Sequence, residues 1–108
     1  MSELFKGATD FNDDISSWDV SNVTDMSEMF RWCWQSNVDV SSWDVSNVTD
    51  MEYMFEMNEN SIFNCDISAW NVSNVTNMRG MLMRCTSFNQ DISSWDVSNV
   101  TNMEAMFV

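Results

Sequence analysis

Rows of carboxylates at a fixed interval are the feature of this sequence best suited to chemistry. Asp14, Asp39, Asp66 and Asp91 share one place in a repeating pattern, and Asp19, Asp44, Asn71 and Asp96 share another. Asp25, Asp50, Asn77 and Asn102 form a third row. Calcium takes six to eight oxygen ligands and suits carboxylates set beside carbonyls, so Asp14, Asp39, Asp66 and Asp91 are the calcium candidates. A local reading competes and is preferred. Each carboxylate accepts backbone N–H bonds in an Asx-turn or a helix cap, which explains why Asn substitutes for it. No DxDxDG loop or GGxGxD repeat accompanies the rows, and no other cofactor is implied.

Catalysis finds little support. The chain has no His, so no Ser-His or Cys-His pair exists, and identical carboxylate columns do not supply the contrasting environments that acid–base work needs. The expectation is a protein that is not an enzyme. Three cysteines show no paired CxxC spacing, which argues against zinc. Cys33 and Cys85 occupy a slot held by Ala8 in the first half unit, as a small buried group would, whereas Cys65 falls at another offset. Trp32 and Trp34 break the repeat and flank Cys33, and Tyr53 replaces the Glu28 of the first unit. Trp and Tyr are enriched at binding hot spots, so Trp32, Trp34 and Tyr53 are the candidate interaction residues, with local shielding of a helix edge as the alternative for the two tryptophans.

These side chains must be positioned by a tandem array. The heptapeptide WDVSNVT recurs at 18–24, 43–49, 70–76 and 95–101 with one change, Asn71 for Asp. Self-similarity at a period of roughly 20–50 residues marks stacked supersecondary units. The chain therefore reads as one repeat domain over 1–108: a half unit at 1–10 and repeats at 11–35, 36–62, 63–87 and 88–108. Within the first unit Trp18 and Val20 alternate as in a strand, while Met26, Met29 and Phe30 follow the spacing of a helix face. Ser21-Asn22 makes the corner between them, and Asp25 with Glu28 has the form of a capping box. The spacing thus predicts an α/β repeat solenoid, a leucine-rich-repeat-like curved coil with one short parallel strand and one short helix per 25–27-residue repeat. Strands stack at about 4.8 Å and helices at about 8–10 Å, which would force the curve.

Charge narrows the partners. Four Lys and Arg against seventeen Asp and Glu give −13, which disfavours nucleic acid and anionic membrane surfaces because both require clustered cations. No apolar run of about 18 residues exists to span a bilayer, and the first residues show no signal peptide.

The runs FNDDISSWDVSNVTDMSEMF at 11–30 and FNQDISSWDVSNVTNMEAMF at 88–107 resemble the roughly 26-residue bacterial surface protein repeat grouped with the BspA-like leucine-rich repeat surface proteins. The resemblance covers nearly the whole chain. It implies an LRR-like fold, an extracellular or cell-surface location, and adhesive or host-interaction roles in proteins often anchored to lipid or wall. The expected function is a non-enzymatic protein-interaction and structural module of an adhesin-like surface protein, with a protein partner. The alternative is a protomer that stacks head to tail through uncapped solenoid ends into filaments, since 1–5 and 103–107 are the same element in the same phase.

Overall fold

The computed structural model describes residues 1–107, and in it each repeat lays its backbone parallel to, and in register with, the repeat before it. Two kinds of segment alternate. Turn segments occupy residues 1–8, 26–33, 51–57, 78–85 and 103–107. Corner segments occupy residues 11–24, 36–49, 63–76 and 88–101. Between them sit Asp25, Asp50, Asn77 and Asn102, which pair in three isolated parallel bridges.

The expected α/β solenoid with a strand and a helix in each repeat is not what this chain builds. Among the described residues there is no helix, and those four bridge residues are the whole of the regular strand pairing. The molecule is a compact body measuring 32 × 30 × 23 Å. The predicted helix at Met26–Phe30 is a run of turns instead. The amides of Met29, Arg31 and Cys33 bond three residues back, to Met26, Glu28 and Phe30. The amides between them leave the segment: Met26, Glu28, Phe30 and Trp32 donate to the carbonyls of Asp50, Glu52, Met54 and Glu56 in the next rung, at 2.7–3.0 Å. The next pair of rungs does the same from Met51, Tyr53, Phe55 and Met57 to Asn77, Arg79, Met81 and Met83.

The physical reason is economy of hydrogen bonds. A segment of about six residues cannot stabilise a helix nucleus in water, whereas the turn form satisfies every second N–H across the stack. That form requires left-handed backbone at the third position of each turn segment, occupied by Glu3, Glu28, Tyr53, Gly80 and Ala105 at φ between 52° and 59°, and three of the segments use it again at Gly7, Trp32 and Arg84. The i, i+3, i+4 apolar pattern does not separate the two outcomes, because both put Met26, Met29 and Phe30 inside. The reason for curvature also goes: Phe5, Phe30 and Phe55 stack at 5.5 Å centroid spacing, close to strand spacing on both sides.

The core runs through the inner rungs. Met26, Met29 and Phe30, with Met51, Met54 and Phe55, and then Met78, Met81 and Leu82, are all buried against Val20, Val45 and Val72 and against Trp43 and Trp70. Trp18 in the first rung and Val97 and Met103 in the last are exposed members of the same columns. Ser36 replaces the Phe that the other units carry at 11, 63 and 88, and its hydroxyl is buried without a hydrogen-bond partner. In that rung Trp34 packs against the core.

Candidate functional site

The acidic rows are built from Asx-turns. Asp14 Oδ1 accepts the amide of Ser16 at 3.0 Å and its hydroxyl at 2.6 Å, and Asp39 accepts the same two groups of Ser41 at 3.1 and 2.6 Å. Asp66 and Asp91 accept the amides of Ser68 and Ser93. The second row behaves alike: Asp19, Asp44, Asn71 and Asp96 each hold the amide of the serine two residues on. Asn71 does so at 3.1 Å without a charge, so the turn needs an oxygen and not an anion. The serine hydroxyl, followed by the serine amide, holds the carboxyls of Asp14, Asp19, Asp39, Asp44, Asp66, Asp91 and Asp96 below their ordinary value. The structure does not bring the calcium candidates Asp14, Asp39, Asp66 and Asp91 together. Each turns to its own serine, and among the described residues no three His, Cys, Asp or Glu side chains are grouped to hold a metal ion.

Trp32, Trp34 and Tyr53 separate into three environments. Trp32 stands at φ +66° and is 45% exposed. Its ring carries the Arg31 guanidinium at 4.5 Å and the Lys6 ammonium at 5.2 Å. Tyr53, half-buried, lies between Arg31 at 4.5 Å and Arg79 at 5.5 Å. The result is an alternating spine of cations and rings across the turn segments, worth roughly 0.5–1 kcal/mol per contact at partly exposed sites. Carboxylates brace it. Lys6 and Arg31 pair with Glu28 at 2.5 and 3.0 Å, Arg31 also pairs with Glu56, and Arg79 pairs with Glu52 at 3.5 Å and Glu104 at 3.2 Å. The hydrogen bond from Lys6 is the first cause holding the Glu28 carboxyl below its ordinary range. Tyr53 also covers Gly80, where an added Cβ would lie 2.3 Å from its ring. Tyr53 is thus a clamp between rungs, Trp34 belongs to the core, and Trp32 alone of the three is exposed.

Sequence reasoning missed the cations of this spine. The signal was present: all four cations of the chain, Lys6, Arg31, Arg79 and Arg84, fall in turn segments. The thiols do structural duty. Cys33 and Cys85 donate to the carbonyls of Phe5 at 2.9 Å and Phe55 at 2.7 Å, and burial pushes them up to about 11 and about 12. Their thiolate fraction at neutral pH is negligible, and the thiolate is the nucleophile. All three cysteines are free.

The repeat that organises these features also places the chain. A protein family described as "Mycoplasma protein of unknown function, DUF285" matches it over residues 1–60 and again over residues 56–108. The chain belongs to this family. No curated protein and no solved structure matches it. The DUF285 match covers every turn and corner segment described above, and it is the family shown, in place of the BspA-like surface proteins that the sequence resembles. No helix among the described residues of this DUF285 chain is long and apolar enough to cross a membrane.

Proposed function

We propose that this DUF285 chain is a non-enzymatic interaction and structural module of an adhesin-like protein, displayed at the cell surface and presenting its turn segments to a protein partner. One observation carries the reading: Trp32, a large ring that the repeat does not require, is held in the open between Lys6 and Arg31. Most other polar side chains of the repeats are engaged in turns or between rungs, so this spine is where the chain differs from its own scaffold. Large amphipathic rings flanked by Arg are the residue types that dominate binding energy at interfaces. Beads coated with the chain and tested on a panel of extracellular-matrix glycoproteins should bind at least one of them. Trp32→Ser should weaken that binding at least tenfold while the chain stays folded, its melting temperature falling only by what the loss of two partly exposed cation–ring contacts implies. Binding that ignores the substitution would contradict the reading.

A second reading, self-association end to end, draws on the way one turn segment takes up the next through main-chain bonds alone, as Gly80 and Leu82 do in donating to the carbonyls of Glu104 and Met106. Light scattering after size exclusion, over a concentration series, distinguishes the readings. Mass growing with concentration supports assembly, and a constant monomer mass sinks it.

A further inference from the structure

Two departures from the repeat meet at one edge of the stack, with rungs on both sides of them. The unit at 36–62 has 27 residues where its neighbours at 11–35 and 63–87 have 25, and the extra length falls in 56–62. Both ends of that stretch are tied to the rung below. The amide of Trp32 donates to the carbonyl of Glu56 at 2.7 Å, and the amide of Ile62 donates to the carbonyl of Trp34 at 3.0 Å. The loop between these ties is ordered by its own bonds. Asn58 Oδ1 accepts the amide of Asn60 at 2.9 Å, and the carbonyls of Glu59 and Ser61 accept the hydroxyls of Thr86 and Ser87 at 3.1 and 2.5 Å. Met57 and Ser61 are buried beneath it.

Two large apolar side chains stand open at this edge, Ile62 at 51% and Trp32 at 45% exposure. The other exposed large apolar side chains among the described residues all belong to the first and last rungs, whereas these two are surface although rungs flank them. The repeat does not ask for Ile62, since Asp10, Gln35 and Ser87 hold its place in the other units. Trp32 holds a left-handed backbone that bulky side chains rarely adopt, strain of the kind that collects where ligands are clamped.

Charge decides what can dock there. Lys6 and Arg31, which lie over the Trp32 ring, are already paired with Glu28 and Glu56. Asp10, one rung below Trp34, and Glu59, in the loop above it, are exposed and have no ion-pair partner among the described residues. Arg84, a rung further, is exposed and has none either. Two free carboxylates against one free cation, in a chain of −13, attract a basic partner and repel an acidic one.

We infer that Trp32, Ile62 and the loop at 56–62 form a docking surface for a basic protein segment, one with an apolar or aromatic anchor flanked by Lys and Arg. This site rests on the interaction-module reading and supplies the partner's chemistry. The anchor covers Trp32 and Ile62, and its flanking cations meet Asp10 and Glu59 in a polar rim. The loop needs no ordering on binding, because its bonds are already made.

The test titrates the full chain into a dye-labelled peptide in which one Trp is flanked on both sides by Lys and Arg, with fluorescence anisotropy as the readout. Saturable binding is expected, weakened at least tenfold by Ile62→Ser or by Trp32→Ser in the chain, with melting curves confirming the fold. Asp10→Asn with Glu59→Gln should weaken it several-fold. Asp19→Asn with Asp44→Asn, an equal change of charge on the corner segments, should weaken it less. No saturation up to about 1 mM, equal binding to the Ile62→Ser chain, equal losses from the two carboxylate pairs, or equal binding of a peptide with Glu in place of its Lys and Arg overturns the site. Matrix-glycoprotein binding that Trp32→Ser abolishes and Ile62→Ser leaves unchanged supports the surface reading and overturns this site. A peptide that saturates on Trp32 and Ile62 while no matrix glycoprotein binds supports this site and overturns the surface reading.

Discussion

The turn segments and the corner segments have the same rung spacing but are held by different chemistry. Turn segments join through main-chain N–H and C=O groups, which every residue except Pro supplies. Corner segments join largely through side chains: the Trp indole, the Asn amide and the Asn carbonyl. A main-chain ladder tolerates change, and MSELFKGA, MSEMFRWC and MRGMLMRC all build the same turn segment. A side-chain ladder does not, because each donor must reach one carbonyl, and WDVSNVT is therefore kept almost letter for letter. The lesson is that the most repeated part of this sequence is the part in which side chains, rather than the backbone, carry the register.

That contrast can be broken most severely at Trp70. Trp70→Ala removes a 4% exposed ring and the bond to Val40, and should cost about 3–5 kcal/mol in urea unfolding. Trp18→Ala in the first rung, where the ring is 41% exposed, should cost clearly less. Equal losses would mean that the columns are not graded by burial.

Gly80 is next, as the one turn position where sequence tolerance should fail. Its φ of +58° and the ring 2.3 Å from an added Cβ together imply about 1–3 kcal/mol for Gly80→Ala. Removing the ring with Tyr53→Ala should restore part of it, since Ala105 holds the equivalent backbone at φ 55°.

A matched pair sharpens the comparison directly. Asn74→Ala loses the 2.7 Å bond to Ser46 and should cost about 1 kcal/mol. Glu52→Ala keeps both main-chain bonds of its rung and loses only a partly exposed pairing with Arg79, so it should stay within about 0.5 kcal/mol. The reverse order would remove the distinction between the two ladders.

Acid should act mildly, and on the corner segments. Their carboxyls sit below the ordinary value of 3.8 when folded. The turn bonds therefore contribute fully above that value and are lost as pH falls through the lower folded value. Melting temperature should decline below about pH 4. Changing Asp19, Asp44 and Asp96 to Asn, as at Asn71, should flatten that decline relative to the unchanged chain. An unaltered acid limb would show that these carboxyls are not its source.

Much of this was legible beforehand. The inward-facing Val20, Met26, Met29 and Phe30 and the turn bonding of Asp14 and Asp19 follow from residue types and spacing. The helix did not survive, because Met26, Met29 and Phe30 face inward in a helix and in a left-handed turn alike, and the Asp25–Glu28 pairing that looked like a capping box is divided. Asp25 caps Ser27, and Glu28 goes to Lys6 and Arg31. Of the site residues, Trp32 was recognisable as a break in the pattern. Tyr53 and Trp34 needed the register, since only stacking shows one over Gly80 and the other packed against the core.

The central claim is that main-chain bonds between rungs, not bonds within a helix, hold the turn segments. Scalar coupling across hydrogen bonds, measured by NMR between amide nitrogens and carbonyl carbons, reads this directly. The account predicts couplings from Phe30 to Met54 and from Tyr53 to Arg79. A coupling from Phe30 to Met26, the bond of an α-helix, would contradict it.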